Sequence, residues 1–372
     1  MRIAQVAPLA EAVPPKLYGG TERVVSWLTE ELVRQGHEVT LFASGDSQSS
    51  AELVAGCEKG LRLAGIRDHL ATMLVMLHNV RRRAQEFDVI HFHVDLLQQP
   101  MFESIQHRTV TTMHGRLDLP DFMPIYKAFP DMPFVSISDS QRAPMPKTTH
   151  WAATIHHGLP PNLIPFKPGP GQYLAFLGRI CPDKRLDRAI EIARRAGMPL
   201  RVAAKVDPAD VDYFKKVIEP MLDDPMIEFV GEVGDAGKGE FLGNASALLF
   251  PIDWPEPFGL VMIEAMSAGT PVVAWNNGSV PEVITPGRSG YIVSSIDEAV
   301  AAVHKAVKLD RRMVRAEFDN RFTLRHMADR YLAVYEKIAQ RGAHGRPALS
   351  VTNGHAYNGN GAGQVSAGAI RA

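Results

Sequence analysis

Two glutamates with seven residues between them stand out in the segment PEPFGLVMIEAMSAGTPVVAW, residues 255–275. Glu256 lies between two prolines, and the ring of Pro257 restricts the residue before it to extended conformations. A carboxylate held in this way after a strand lies at the edge where open α/β sheets bind ligands. It could accept hydrogen bonds from ligand hydroxyls, and the alternative is a surface glutamate in a stiff loop.

Glu264 lies in the apolar part of the same segment, which we predict to be helical over residues 259–268. Its neighbours three and four positions away are uncharged: Leu260, Val261, Ser267 and Ala268. A buried carboxylate without a partner is costly, so Glu264 needs hydrogen-bond donors from elsewhere in the protein or from a ligand. The hydroxyls of a sugar ring and a neighbouring backbone group are both open at this point.

A second group of candidate residues is basic and lies in the segment FLGRICPDKRLDRA. We predict a strand over residues 173–180 with Arg179 near its end, and a helix over residues 185–197 with Asp183 as its N-cap. A cation such as Lys184 at the start of a helix opposes the helix dipole unless an anion binds there. The pair of cations therefore predicts a phosphate site, with a solvated basic face as the alternative.

Gly19 and Gly20 precede a helix that we predict to start with Thr21 as its N-cap and to end at Gly36. Paired glycines before a helix allow backbone amides to approach a ligand oxygen closely. The sequence is not G-x-G-x-x-G, so the dinucleotide-binding fingerprint is absent. An ordinary turn is the alternative.

Three histidines are candidates for a shared site. His91 and His93 are two positions apart in a predicted strand over residues 88–94, so they lie on one face of it. With His114 at the end of the next predicted strand they resemble the metal ligands of a hydrolase, but no H-E-x-x-H pattern or complete ligand set is present. We therefore expect no metal, and we expect His114 to line a cleft as a hydrogen-bonding residue.

The elements that must position these residues alternate between strand and helix in two successive units of similar size. A segment rich in Pro and Gly, residues 156–172, separates the units. Strand–helix–strand units imply parallel sheets, and two of them predict an α/β protein with two Rossmann-like domains facing each other across a cleft. We assign residues 1–160 and 161–323 to these domains and predict a disordered tail over residues 342–372.

Composition excludes several classes of protein. The 372 residues carry a formal net charge of −1, so no global field recruits nucleic acid or acidic membranes. The two cysteines, Cys57 and Cys181, form neither a disulfide framework nor a metal-site spacing. With no signal peptide and no run of about 18 apolar residues, we expect a cytoplasmic protein. The stretch HNVRRRAQ, residues 78–85, could touch lipid head groups, and a solvated face is the alternative.

Three segments together resemble the retaining glycosyltransferases of family 4, which have the GT-B fold. They are GGTERVVSWLTEELVRQGHEVTLFA, GRICPDKRLDRAI and PEPFGLVMIEAMSAGTPVVAWNNGSVPEVI. The last contains the E-x7-E motif of that family, Glu256 to Glu264, at the family's usual distance after a G-R-x4-K segment. The resemblance extends over residues 1–340, and we expect the helix at about 324–340 to pack back onto the first domain.

The resemblance implies a role for each candidate of the second domain. Arg179 and Lys184 would neutralise the diphosphate of a nucleotide-sugar donor. Glu264 would accept hydrogen bonds from the ribose of the donor, and Glu256 would contact the transferred sugar. Three backbone amides would help to orient that sugar: those of Phe258, Gly259 and Leu260.

The resemblance also implies donor contacts beyond this motif. Gly19 and Gly20 would bring backbone near the phosphates, and His114 would touch the donor sugar at the reacting centre. The segment FVGEV, which ends at Val233, would lie near the base. Many family members have a glycine-rich turn where this chain has AAKVDPAD. The lysine of this segment, Lys205, is an additional cation at that edge.

The implied reaction is transfer of a hexose from a nucleotide sugar to an acceptor, without a cofactor or metal because Arg and Lys supply the charge. UDP-glucose is the first expectation for the donor and GDP-mannose the second. The acceptor, a saccharide, lipid or small metabolite, is not identified by the sequence. The alternatives are a sugar-nucleotide epimerase or a phosphorylase with the same fold, a non-catalytic nucleotide-sugar-binding module, and a metal hydrolase.

Overall fold

The computed structural model describes residues 1–16 and 19–344, which form two separate sheets of parallel strands. The strands of the first sheet are β1 Arg2–Val6, β2 Glu38–Ser44, β3 Glu52–Cys57, β4 Val89–Phe92, β5 Thr109–Thr112, β6 Phe134–Ser136 and β7 Trp151–Thr154. Those of the second are β8 Tyr173–Ile180, β9 Leu200–Val206, β10 Ile227–Gly231, β11 Ala245–Phe250, β12 Val272–Trp275 and β13 Gly290–Val293.

The α-helices connect and cover these strands. They are α1 Gly20–Arg34, α2 Leu70–Arg82, α3 Gln99–Phe102, α4 Met123–Ala128, α5 Leu186–Ala196, α6 Val211–Tyr213, α7 Asp235–Gly243, α8 Leu260–Ala268, α9 Val280–Val283, α10 Ile296–Ala306, α11 Arg311–Arg321 and α12 Leu324–His344. A 3₁₀ turn, Pro182–Lys184, precedes α5. Among the described helices, none combines the length and the apolar character needed to cross a membrane.

The strand order places a ligand-binding crevice in each sheet. The first sheet has the order β3-β2-β1-β4-β5-β6-β7, and the second has the order β10-β9-β8-β11-β12-β13. The direction of connection therefore reverses between β1 and β4, and again between β8 and β11. Ligands of open α/β sheets bind outside the carboxyl ends of the strands at such points. The prediction of an α/β protein with two Rossmann-like sheets is confirmed.

The last helix of the described chain returns to the first sheet. A buried apolar cluster joins residues of α12 with residues of β1 and α1: Leu324, Met327, Tyr331, Tyr335, Ile3, Val24 and Leu28. The crossing is marked by an isolated parallel bridge between Leu159 and Thr323. Helix α12 continues to His344, and the rest of the predicted tail, residues 345–372, lies outside the described residues.

Several local predictions were wrong. Helix α1 starts at Gly20 with Gly19 as its cap, so Thr21 is inside the helix and is not its N-cap. Asp183 is not the N-cap of α5 either, because it belongs to the 3₁₀ turn and Arg185 occupies that position in a left-handed conformation. The sequence also predicts one helix over residues 209–222, whereas the structure has three short consecutive segments: α6, a π-helical turn Phe214–Ile218 and a 3₁₀ turn Glu219–Met221, which contains the helix-interrupting Pro220.

Candidate active site

Two donors hold the Glu256 carboxylate just after the end of β11. Lys184 Nζ forms an ion pair with Glu256 Oε2, and the indole N–H of Trp254 donates to the same oxygen at 3.0 Å. The rings of Phe250 and Trp254 lie 5.5 and 5.3 Å from Lys184 Nζ, within cation–π range. The structure thus places the predicted phosphate-binding lysine in direct contact with the predicted sugar-binding glutamate.

Gly278 fixes the backbone that carries Glu256. Its φ is +55°, and a Cβ at this position would lie 2.3 Å from the Glu256 amide nitrogen. The next residue, Ser279, donates from its N–H to the Glu256 carbonyl oxygen at 3.0 Å and from its hydroxyl to the Phe258 carbonyl oxygen at 2.7 Å. Only glycine combines this conformation with so close an approach, so the Glu256 loop is supported by a turn that tolerates little change.

Gly259 ends the same loop and opens α8. Its φ of +80° is left-handed, and a Cβ there would lie 2.9 Å from Met262 Cε. Helix geometry leaves the N–H groups of Leu260 and Val261 without an acceptor within α8, so they can donate to a ligand oxygen. The N–H of Met262, in contrast, already donates to the Gly259 carbonyl oxygen at 3.0 Å. The side chain of Phe258 is buried, with its ring centroid 5.0 Å from that of His157. Any contact of Phe258 with a ligand therefore comes from its backbone.

Glu264 has a partner within the protein, which is one of the two sources of hydrogen-bond donors that the sequence left open. Lys238 Nζ on α7 donates to Glu264 Oε1 at 2.7 Å, and the glutamate side chain is only 5% exposed. Lys238 also lies 3.5 Å from Asp235, which forms an ion pair with Arg23 of α1. A line of alternating charges therefore runs from Glu264 to a helix of the first sheet. Helix α7 was not predicted, because its glycine-rich sequence DAGKGEFLG lacks a clear apolar face.

Arg179 and Lys205 converge on one carboxylate rather than on an open anion site. They are paired neighbours on β8 and β9. Arg179 Nη1 lies 3.2 Å from Asp207 Oδ2, and Lys205 Nζ lies 3.3 Å from Asp207 Oδ1. The two predicted phosphate-binding cations, Arg179 and Lys184, thus contact different carboxylates.

The two glycines before α1 have different surroundings. A Cβ on Gly19 would lie 2.8 Å from Pro15 Cβ and 3.0 Å from Glu22 Oε2, whereas a Cβ on Gly20 would meet no atom of the described residues within 4 Å. Gly19 is thus required by packing, and space is open at Gly20. Beside them, burial raises the pKa of Glu22, and Glu11 is 2% exposed and paired with Arg62 at 3.2 Å. The two acidic side chains were not among the predicted site residues.

The candidate histidines are joined by hydrogen bonds. His93 Nδ1 lies 2.9 Å from His114 Nε2, and His93 Nε2 lies 2.7 Å from Gln5 Oε1. His91 uses both ring nitrogens as well, with Tyr335 Oη at 2.6 Å and Thr112 Oγ1 at 2.7 Å. Within the described part of the chain, no group of three or more His, Cys, Asp or Glu has a geometry that could hold a metal ion. The ligand set required by the metal-hydrolase alternative is therefore not found among these residues.

His114 has one ring nitrogen without a partner among the described residues. Its Nδ1 is buried and forms no hydrogen bond, and its ring stacks on His157 at 5.5 Å between centroids. Burial lowers the pKa of His114 to about 3 and holds the pKa values of His93 and His157 well below the ordinary value. These imidazoles are neutral at physiological pH, so they can exchange hydrogen bonds with a ligand but cannot supply positive charge.

Several residues of the site were missed by sequence reasoning, and some of them left a signal. Gln5 is the polar residue in the otherwise apolar part of β1, where a buried amide needs partners. His157 is the second of two consecutive histidines, His156 and His157, shortly after the end of β7. Lys238 left no signal, because α7 itself was not recognised. Val233, predicted near the base, follows β10 and packs against the core of the second sheet.

Comparison with known proteins agrees with this arrangement. The family model described as Glycosyltransferase Family 4 matches residues 18–139, and that described as Glycosyl transferases group 1 matches residues 164–322. The phosphatidyl-myo-inositol mannosyltransferase of Mycobacterium leprae is 34% identical over 124 residues, 32% of this chain and 33% of that protein. The chain thus matches only about a third of the length of this relative.

Other similarities extend over most of the chain. The D-inositol 3-phosphate glycosyltransferase of Rhodococcus erythropolis is 25% identical and covers 86% of this chain and 87% of its own length. The solved structure of sucrose-phosphate synthase from Thermosynechococcus elongatus is 18% identical, with a TM-score of 0.73 over 91% of this chain and 98% of that chain. The two family matches together include about three quarters of the residues and both halves of the candidate site. The chain therefore belongs to the family 4 glycosyltransferases, the glycosyl transferases of group 1, with the GT-B fold.

Proposed function

We propose that this glycosyltransferase moves a hexose from a nucleotide sugar to an acceptor hydroxyl with retention of the anomeric configuration. UDP-glucose is the first donor to test and GDP-mannose the second. The contact between Lys184 and Glu256 beside the N-terminus of α8 carries the proposal. The cation suits the diphosphate and the carboxylate suits the sugar hydroxyls, so a donor bound here would have its scissile bond between the two.

Donor binding would exchange contacts that the protein makes with itself. The diphosphate would approach Lys184 and Arg179, whose present partners are Glu256 and Asp207. The ribose hydroxyls would approach Glu264, whose present partner is Lys238. Each carboxylate would then keep hydrogen-bond donors after the exchange, which avoids the cost of an unpaired buried charge.

The same residues would favour the transition state over the bound donor. As the bond between C1 and the diphosphate oxygen breaks, positive charge develops on the sugar ring and negative charge on the leaving oxygen. Lys184 and the amides at the start of α8 would stabilise the negative charge, and the Glu256 carboxylate would stabilise the positive charge. Groups that are already oriented before the reaction stabilise such charges more than they stabilise the ground state.

Retention requires that the acceptor attack from the side that the diphosphate leaves. The acceptor oxygen forms the new bond to C1, and its proton passes to an oxygen of the departing diphosphate. This route needs no second carboxylate as nucleophile, in contrast to the paired carboxylates of retaining glycosidases. Arg179 and Lys184 would neutralise the departing diphosphate in place of a metal ion. We therefore expect activity in the presence of a metal chelator.

The first experiment identifies the donor and then the product. Thermal unfolding with a panel of nucleotide sugars should show an upward shift for one base and sugar, because a ligand of the folded state raises the midpoint. That donor is then incubated with an acceptor panel that includes inositol phosphates, since the two curated relatives are named for inositol-containing acceptors. We expect release of the nucleoside diphosphate together with a glycoside whose anomeric configuration matches the donor.

The alternatives predict different products. An epimerised nucleotide sugar, or cleavage that depends on inorganic phosphate, would contradict transfer to an acceptor. Donor binding without turnover across the acceptor panel would favour a non-catalytic binding module. A glycoside of inverted configuration would contradict retention while leaving transfer intact. Loss of activity with a chelator would contradict the metal-independent mechanism.

A further inference from the structure

A line of hydrogen bonds crosses the core of the first sheet and ends at His114. Tyr335 Oη on α12 lies 3.1 Å from Gln5 Nε2, and Gln5 Oε1 lies 2.7 Å from His93 Nε2. His93 Nδ1 in turn lies 2.9 Å from His114 Nε2. Gln5 and Tyr335 are fully buried and His93 is 2% exposed. Water therefore has little access to these groups, and each of them depends on its neighbours for hydrogen bonds.

With Gln5 Oε1 facing His93, the donors and acceptors of the groups set the direction of each hydrogen bond. Gln5 Oε1 can only accept, so His93 Nε2 carries a proton and donates it. A neutral imidazole has one protonated nitrogen, so His93 Nδ1 is an acceptor. His114 Nε2 must then carry the proton of the next hydrogen bond, which leaves a lone pair on His114 Nδ1. That nitrogen is the one without a partner among the described residues.

Tyr335 contacts the other end of the Gln5 amide, at Nε2. In this orientation its hydroxyl accepts from Gln5 Nε2, which leaves its own proton for His91 Nδ1, 2.6 Å away. A rotated Gln5 amide would present its nitrogen to His93 Nε2 and reverse every hydrogen bond as far as His114. Helix α12 follows the second sheet in sequence. Through Tyr335 it nevertheless influences the tautomer of His114, which belongs to the first sheet.

We propose that Gln5, His93 and Tyr335 are positioning residues that hold His114 as the Nε2–H tautomer, so that Nδ1 accepts a hydrogen bond from a hydroxyl of the bound sugar. The identity of this hydroxyl as part of the donor sugar rests on the proposed function. The proposed tautomer does not rest on it, because the tautomer depends on contacts within the protein alone. The neutral state that the relay requires is consistent with the burial of its members.

The test measures the tautomer directly in the full chain labelled with ¹⁵N-histidine. Long-range ¹H–¹⁵N spectra distinguish protonated from unprotonated ring nitrogens, and the His114→Gln variant identifies the signals of His114. We expect protonated Nε2 and unprotonated Nδ1 in the wild type. Tyr335→Phe and Gln5→Met should change this pattern toward a mixture of tautomers.

Tyr331→Phe provides the matched control for Tyr335→Phe. Both tyrosines are fully buried on α12, and both lose one hydroxyl. Tyr331 Oη instead contacts Thr112 Oγ1 at 2.9 Å, on the far side of His91 from Gln5. We expect the His114 signals of Tyr331→Phe to match the wild type, which separates the relay from a general loosening of α12.

Kinetics with the donor found above supply a second readout. Loss of one oriented hydrogen bond should lower kcat about tenfold in Tyr335→Phe and Gln5→Met. The wild type should discriminate against one monodeoxy donor, and these variants should lose that discrimination. A wild-type Nδ1–H tautomer, or an unchanged tautomer in both variants, overturns the proposal. Inactivity of the wild type with every nucleotide sugar would contradict the proposed function and leave the tautomer result standing.

Discussion

The buried polar side chains on the two sides of the cleft are paired in different ways. On the side of the second sheet, charged residues form close ion pairs, as in Lys184 with Glu256 and Lys238 with Glu264. On the side of the first sheet, neutral histidines are joined by hydrogen bonds to Gln5 and Tyr335. The ion pairs present charges that a charged donor can exchange. The neutral relay presents one fixed hydrogen-bonding atom and no charge.

The difference teaches which parts of the donor each side can recognise. A diphosphate needs cations, and the two predicted phosphate-binding cations, Arg179 and Lys184, both lie on the side of the second sheet. A sugar hydroxyl needs an acceptor or donor of known orientation, which a neutral imidazole provides when its tautomer is fixed. Four predictions test this contrast, in order of decreasing expected effect.

Removing charge from the ionic side should have the largest effect on turnover. We expect Lys184→Ala and Glu256→Ala each to lower kcat by at least about a hundredfold, because each deletes an oriented charge beside the scissile bond. Lys216→Ala, which removes an exposed lysine paired with Asp212, is the matched control and should retain wild-type kcat. Steady-state kinetics measure the effect, and near-wild-type turnover in both site variants would contradict the assignment of the site.

Breaking the second ion pair should affect stability as well as binding. In Lys238→Met the buried Glu264 carboxylate loses its cation, so we expect the free energy of unfolding to fall by about 3 kcal/mol. The double variant Lys238→Met/Glu264→Gln removes the unpaired charge and should recover much of this loss. Denaturant unfolding of the single and double variants checks both expectations. Equal instability of the two would mean that lost packing, rather than an unpaired charge, dominates.

The buried histidines of the first sheet should make the free energy of unfolding, rather than catalysis, depend on pH. Burial holds the pKa of His114 at about 3 and those of His91, His93 and His157 well below the ordinary value of about 6.5. Below pH 6.5 the unfolded chain therefore binds protons that the folded chain does not. The free energy of unfolding should fall as the pH decreases through about 6.5, with a slope that approaches about 1.4 kcal/mol per pH unit for each such histidine once the unfolded histidine is fully protonated.

Denaturant unfolding between pH 7 and pH 5.5 measures this slope, in a range above the ordinary pKa values of carboxylates. A His93→Phe variant, which has one buried histidine fewer, should show a smaller slope. A flat profile over the same range would mean that the histidines are charged in the folded protein, which would contradict the neutral relay.

The smallest effect on kinetics is expected at Gly20, the predicted phosphate contact on the side of the first sheet. Gly20→Ala adds a methyl group into open space, so its stability should stay within about 0.5 kcal/mol of the wild type. If backbone at Gly20 approaches the diphosphate, KM for the donor should rise several-fold. Gly19→Ala is the comparison, since its Cβ would collide with Pro15 and lower stability instead. An unchanged KM in Gly20→Ala would remove Gly20 from the donor site.

The sequence predicted the parallel sheets well because hydrophobic patterns report burial on both faces of a strand. Strand β8 was predicted with its observed bounds, residues 173–180. Strands β3 and β7 were missed; they are the two edge strands of the first sheet and are only partly buried. Candidate residues at strand ends could be found in the same way, since chemistry at an α/β edge needs polar residues where apolar runs stop.

Pairings between distant elements could not be predicted in this way. The partner of Glu264 lies 26 residues away on α7, and the anchor of Gln5 lies 330 residues away on α12. Neither spacing has a local signature, because tertiary packing alone brings such groups together. The local search for a partner of Glu264 covered only its own helix, α8, whereas the cation lies on the preceding helix, α7.

The return of α12 to the first sheet has a consequence for synthesis on the ribosome. The second sheet is complete once residue 293 has emerged, whereas the first sheet still lacks Tyr331 and Tyr335 of its core. The domain translated first is therefore the one completed last. A nascent chain stalled before α12 should hold a compact second half and an unfinished first half, so an order of assembly opposite to the order of translation is built into the connectivity.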